Sequence, residues 1–270
     1  MHRLLVDSAS LGDDSPALPR EAARHLRVLR LGRGESVELF DGKGSARTYG
    51  WNGAALSALG GIRTSPRPAS SLTLFACITK GSRWDWTVEK ATELGATRIV
   101  PVISARTIVR IPKGERTAKR ARWLRIAEDA ARQSDAIWLP EICEAVDFTD
   151  SLAMVRETDC FVGALTEPEP PPIAVAMREH LDRAADPVGI SVYVGPEGDF
   201  TPGELSSLLE IATPTSFGPT ILRAETAAIF AVSVAAAAMA ARHLASASPG
   251  SRAPSDSTQR PSGSSRVAGI

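Results

Sequence analysis

From Leu72 onward, short runs of β-branched and apolar residues alternate with longer segments of helical period, and this alternation constrains the fold more than any other feature of the chain. Leu72 to Ile78 reads as a strand, Arg83 to Leu94 as a helix stopped at Gly95, and Ile99 to Ile103 as the next strand. A basic helix follows at about Glu115 to Ser134. After it come a strand at Asp159 to Leu165, a helix beyond the Pro168 to Pro172 cluster, and a strand over Gly189 to Val194. A helix opened by Thr201, a short strand near Thr215 to Phe217 and a long alanine-rich helix complete the series. Strands separated by helices pair in parallel and are covered by helices on both faces, so the expected class is α/β.

Two glycine-punctuated turns stand out in this series. Val194-Gly195-Pro196-Glu197-Gly198-Asp199-Phe200-Thr201 and Phe217-Gly218-Pro219-Thr220-Ile221-Leu222-Arg223-Ala224-Glu225-Thr226-Ala227 each follow an apolar run and open a helix. Thr201-Pro202-Gly203-Glu204 has the pattern of a capping box with proline at the first helical position. Glycine on both sides of Pro196-Glu197 lets main chain approach a ligand at the carboxyl end of a strand, where open α/β sheets bind ligands.

Residues 1 to about 66 carry no long helical pattern. Ser36 to Phe40 and Ala46 to Trp51 read as strands joined through Asp41-Gly42-Lys43-Gly44, a hairpin signal, and Arg63 to Ser71 as a proline and serine linker. The expected division is 1–68 as a small β domain, 72–245 as the α/β domain and 246–270 as a disordered tail of serine, proline, glycine and arginine. At 43% hydrophobic and 23% charged residues, the 270-residue chain has the composition of a folded globular protein. Cys77, Cys143 and Cys160 are an odd count without a CxxC pair, which favours buried thiols over a disulfide framework or a zinc site. The N-terminus reaches Asp7 before an apolar signal region forms, and the uncharged stretch Thr226 to Ala241 is short and alanine-rich. Neither a secretion signal nor a membrane span is expected, and the chain reads as cytoplasmic.

The formal net charge of +0 conceals segregation. Between Arg106 and Arg132 nine Lys or Arg face three acids, whereas Glu141 to Glu169 holds eight acids and Arg156 alone. A second basic cluster contains Arg27, Arg30 and Arg33 at every third position. A lone stretch of this kind suits a solvated charged helix as well as a polyanion, and the second cluster shifts the balance toward RNA. No GxxxxGK[ST] loop or strand-following GxGxxG occurs, and His2, His25, His180 and His243 lack metal-ligand spacing, so no metal is expected.

The two glycine turns, together with Lys80-Gly81-Ser82-Arg83-Trp84-Asp85-Trp86-Thr87-Val88-Glu89-Lys90-Ala91-Thr92-Glu93-Leu94-Gly95, resemble the RsmE family of bacterial 16S ribosomal RNA uracil-N3 methyltransferases over about residues 1 to 244. The resemblance implies a SPOUT-type α/β methyltransferase domain with a C-terminal trefoil knot behind a small PUA-like β-barrel, S-adenosyl-L-methionine as cofactor, the small ribosomal subunit as partner, and a homodimer. Cofactor contacts then fall on Leu165, Thr166, Gly195, Pro196, Glu197, Gly198, Phe217, Gly218, Ile221 and Leu222, and RNA contacts on Arg27, Arg30, Lys80, Arg83, Arg106 and Arg122.

Uracil N3 methylation needs an extruded base, removal of a weakly acidic proton, and charge stabilisation at O2 or O4. Arg223 is the candidate cation. Glu197 and Glu225 are candidates for the base or for holding Arg223, although Glu225 also fits as a first-turn acid of the last helix. The chain departs from the family's pattern at Asp135-Ala136, where Gly-Arg is common, at Asp199, where glycine is usual, and at Phe217, which replaces leucine. These departures leave open a different target nucleotide or an RNA-binding protein of reduced activity; a nonenzymatic ribosome-assembly factor and a methyltransferase acting on a ribose hydroxyl in tRNA are the rival readings.

Overall fold

The computed structural model describes residues 1–18, 26, 31–155, 159–184 and 187–247. Arg27, Arg30 and the predicted tail from residue 248 lie outside the described residues. Two sheets organise the rest. The first has strands β1 (His2–Leu5), β2 (Ser36–Phe40), β3 (Ser45–Trp51), β4 (Leu56–Ala58) and β5 (Arg63–Thr64). β1 and β2 are parallel, and the other pairs are antiparallel. The β2–β3 hairpin turns where Asp41-Gly42-Lys43-Gly44 predicts it. Asp41 Oδ1 accepts from the amides of Lys43 (2.8 Å) and Ser45 (2.9 Å), and Oδ2 accepts from Ser8 Oγ (2.9 Å).

The second sheet is wholly parallel. Its strands are β6 (Ser71–Cys77), β7 (Arg98–Ile103), β8 (Glu141–Ile142), β9 (Val146–Asp147), β10 (Asp159–Gly163), β11 (Gly189–Val194) and β12 (Thr213–Thr215), in the spatial order β12-β10-β11-β6-β7-β8 with β9 beside β7. Strand alternation sorts the side chains onto two buried faces. Leu72, Leu74, Ala76, Ile99, Ile103, Phe161, Ile190, Val192 and Val194 meet α1 (Ser82–Glu93), α2 (Arg116–Gln133), α4 (Ile173–Arg183) and α6 (Ala224–Ala247). Phe75, Cys77, Val100, Val102, Cys160, Val162 and Tyr193 meet α3 (Phe148–Leu152) and α5 (Pro202–Leu209). On that second face the rings of Phe75 and Tyr193 stack at 4.5 Å, and the Tyr193 hydroxyl donates to Ser151 Oγ at 2.9 Å. All three cysteines are free and buried, and burial pushes the Cys77 thiol up to about 11.

By length and apolar composition α6 is able to span a membrane, and in this fold one face of it is buried in the core. Ala228, Ala231, Val232 and Ala235 are buried against the sheet and its neighbouring helices. The helix also runs through Ala247, two residues past the expected start of the tail.

The two sheets meet through the β2–β3 turn and the end of α2. Gly44 N donates to Ile137 O (2.9 Å) and Leu139 N to Gly42 O (2.9 Å), an arrangement completed by packing of Leu139 and Trp138 over the two glycines. A Cβ at either glycine would collide with those side chains, and both glycines have positive φ. Beside this contact lies Arg3, which is buried. Its Nε donates to Glu38 Oε1 (2.8 Å), its Nη1 donates to Ala131 O, both Nη1 and Nη2 donate to Ala136 O (3.2 Å each), and its guanidinium lies over the Phe40 ring. Asp135, 3.5 Å from Arg3 Nε, has φ of 60°, the left-handed region that explains glycine as the family's usual residue there.

Arg3→Ala is expected to cost about 3 kcal/mol, the range for removing one partner of a buried ion pair, measured by denaturant unfolding. Burial raises the Glu38 carboxyl, but hydrogen bonds from Arg3 and then Arg63 outweigh it and hold the group below its ordinary 4.5. A depressed folded value contributes stability above the unfolded value that disappears as pH falls through the folded one. The stability difference between the wild type and Glu38→Gln is therefore expected to be largest near neutrality and to shrink below pH 4.5. A pH series of thermal melts measures it.

Candidate active site

The adjacent parallel strands β12, β10 and β11 end at Thr215, Gly163 and Val194, on the same edge of the sheet. The loops leaving them line a single cavity of about 530 Å³, within the roughly 300–1,000 Å³ of ordinary small-molecule sites. The first loop contributes Gly163, Ala164 and Leu165, the second Gly195 through Asp199, and the third Ser216 through Arg223 with few gaps. Nine of the ten predicted cofactor positions are on this wall. Thr166 is not, and its hydroxyl donates instead to Pro168 O at 3.2 Å.

Each loop is fixed by a different device. The Phe217 ring rests directly on Gly163, where a Cβ would overlap it, so this strand-end glycine is required by close approach. Gly195 is similarly confined, its would-be Cβ lying 3.2 Å from the Phe200 ring. Asp199 has φ of 59° and accepts from the Phe200 amide through Oδ1 (2.7 Å), so the second family glycine replaced by aspartate also occupies a left-handed position. Arg106, singled out from the sequence as an RNA contact, donates through Nη1 to the carbonyls of Gly198 (2.9 Å) and Phe200 (3.3 Å) and so braces the second loop.

The capping box forms as its pattern predicts. Thr201 Oγ1 accepts from Glu204 N (3.3 Å), and Glu204 Oε2 accepts from Thr201 N (2.9 Å). Glu204 Oε1 in addition accepts from Ala105 N (2.7 Å), which ties this helix start to the loop after β7.

The two glutamates, candidates for the base or for holding Arg223, stand around a different arginine. Arg83, in the first turn of α1, lies between the two carboxylates instead, its Nη1 3.6 Å from Glu197 Oε1 and 4.0 Å from Glu225 Oε1. Arg223 is exposed on the cavity wall. Glu197 lines the same wall, whereas Glu225 borders a separate opening of about 600 Å³ with Ser82, Arg83, Asp85, Trp86, Glu89 and Thr226. Glu225 is 8% exposed, and its Oε2 has no hydrogen-bond partner among the described residues. Lys80 is exposed at the end of β6, and Arg122 pairs with Asp85, joining α2 to α1. The sequence reading missed Gly163, Trp86 and the bridging role of Arg83. Only Gly163 left a trace there, as a glycine inside an apolar strand pattern.

A larger cavity, about 770 Å³, lies at the amino ends of the strands, against Leu72, Thr97, Val188, Met239, Arg242 and His243. Volume favours it, but chemistry does not. The glycine loops, the exposed main chain and the carboxylate–arginine cluster are all at the opposite edge, and that edge is the candidate site.

Comparison with known proteins agrees with this choice. The RNA methyltransferase domain family matches residues 65–236, and the RNA methyltransferase PUA domain family matches residues 18–49. The chain is 32% identical over 157 residues to ribosomal RNA small subunit methyltransferase E of Bacillus subtilis, covering 58% of this chain and 61% of that protein. To the enzyme of the same name from Mycobacterium bovis it is 30% identical over 224 residues, covering 76% of this chain and 79% of that one. A crystal structure of ribosomal RNA small subunit methyltransferase E from Neisseria gonorrhoeae bound to S-adenosyl methionine superposes with a TM-score of 0.71 at 29% identity, covering 90% of this chain and 98% of that one. By sequence and by fold, the chain belongs to the ribosomal RNA small subunit methyltransferase E family of RNA methyltransferases.

Proposed function

We propose that the protein is an S-adenosylmethionine-dependent methyltransferase that modifies N3 of a uridine in 16S ribosomal RNA of the small subunit, in the cytoplasm. One observation carries this reading: three loops from adjacent parallel strands, with glycine where the Phe217 and Phe200 rings crowd the backbone, converge on one cavity. The wall suits an adenosine carrying an amino-acid chain. Main-chain groups of Gly195 to Gly198 and Phe217 to Leu222 offer hydrogen bonds, and the exposed side chains of Leu165 and Ile221 offer apolar cover. The cofactor supplies the methyl group, and the protein supplies binding, orientation and charge.

Arg223 is assigned to the developing negative charge on the uracil oxygens, and Glu225 or Glu197 to the N3 proton. The unit at 1–68, with Arg27 and Arg30, is assigned to holding RNA together with Lys80, Arg83, Arg106 and Arg122, and 72–245 to chemistry, with a knotted C-terminal part. A homodimer is assigned through α6, where Phe230 remains 38% exposed beside Phe217.

Two outcomes are expected. Gly163→Ala pushes Phe217 off its seat and weakens S-adenosylmethionine binding at least about tenfold in calorimetric titration, the effect of losing roughly 1.4 kcal/mol of fit. Unchanged affinity would place the cofactor elsewhere. Cells lacking the protein lose N3-methyluridine from 16S RNA by mass mapping; wild-type complementation restores it and Arg223→Ala does not. A modification that persists in the deleted strain contradicts the assignment.

A further inference from the structure

The opening beside Glu225, one of the two glutamates assigned above to the N3 proton, shares no lining residue with the cofactor cavity. Its floor is the carboxylate of Glu225, whose Oε2 is buried and unpartnered among the described residues. Its wall is Trp86, an aromatic ring left 41% exposed on α1. Asp85 and Glu89 complete the lining, and Arg83 stands between this opening and Glu197 of the cofactor cavity. Asp85 pairs with Arg122 and Glu89 with Lys90, so Glu225 is the lining carboxylate with an open acceptor atom, and no excess of cations beside it selects a phosphate. A neutral planar group carrying N–H donors fits all of it, because the ring offers a stacking face and the orphan oxygen is an acceptor.

Building on the proposed methyltransferase activity, we infer that this opening is the subsite for the extruded target base: uracil stacks on Trp86 and presents its N3–H to Glu225 Oε2, with Arg83 holding Glu225 and Glu197 in register. The N3–H bond breaks as a carboxyl O–H forms on Glu225. The electron pair left on N3 would accept the methyl group as the cofactor's sulfonium carbon–sulfur bond breaks and its electrons return to sulfur as a neutral thioether, and Glu225 then returns its proton to water. Burial without a partner suits Glu225 to this role, since a desolvated carboxylate gains most from an N–H donor. It also separates the roles of the two glutamates, with Glu197 on the cofactor wall and Glu225 at the base.

The test is binding of a short uridine-containing RNA to the cofactor-free protein, followed by calorimetry, alongside binding of S-adenosylmethionine and turnover on unmodified small subunits. Trp86→Ala is expected to weaken RNA binding and raise KM by about tenfold, the scale of one lost base stack, with cofactor affinity unchanged. Trp86→Phe, which keeps a stacking face, is expected to rescue both. Glu225→Gln is expected to lower kcat by at least about a hundredfold, the effect of losing a general base, with cofactor affinity unchanged. Wild-type RNA affinity in Trp86→Ala, or a full-rate Glu225→Gln, overturns the subsite and leaves the methyltransferase reading intact. Failure of the wild type to bind S-adenosylmethionine overturns both.

Discussion

Parallel pairing is the constraint from which the site follows. Because β10, β11 and β12 run in the same direction side by side, their carboxyl ends must lie together, and three loops far apart in sequence must leave from one edge. The loops then have to fit into the space of one, and the chain does this by removing side chains. Gly163 makes room for the Phe217 ring, and Gly195 for that of Phe200. Aspartate serves in place of glycine at residue 199 because its carboxylate satisfies the next amide while the backbone stays left-handed. Arg106 and Glu204 then bind the second loop and its helix to the loop after β7, so the cavity wall is braced from the sheet's neighbouring strands.

The same economy of side chains fixes the smaller sheet onto the larger unit. Gly42 and Gly44 let the β2–β3 turn pair with residues 137–139, and Arg3 fills the adjacent space with a charge satisfied by Glu38 and by carbonyls at the end of α2. The junction lies at the end of the helix whose start carries the basic surface residues. The orientation of the small sheet is thus tied to the most basic helix of the described residues.

Much of this was legible in the sequence, for identifiable reasons. Periods of two and of three to four residues separate strands from helices, so the α/β class, the hairpin at residues 41–44 and the Thr201 capping box could be read locally, with errors of a residue or two at ends such as β12. The loops that line the candidate cavity were visible because glycine marks crowded backbone. Side-chain partnerships across long separations were not visible. Arg83 standing between Glu197 and Glu225, Arg106 bracing Gly198 and Arg3 reaching Ala131 each join residues 92 to 142 positions apart, and no local pattern encodes such contacts. Asp135 and Asp199 looked like losses of family character; their backbone angles show substitution at left-handed positions that aspartate tolerates.

The most direct measurement of the central claim is a crystal structure of this protein grown with S-adenosylmethionine. The account predicts density for the nucleoside in the 530 Å³ cavity, against Gly163 to Leu165, Gly195 to Gly198 and Phe217 to Leu222. Density in the 770 Å³ cavity at the amino ends of the strands, with the glycine loops empty, would contradict it.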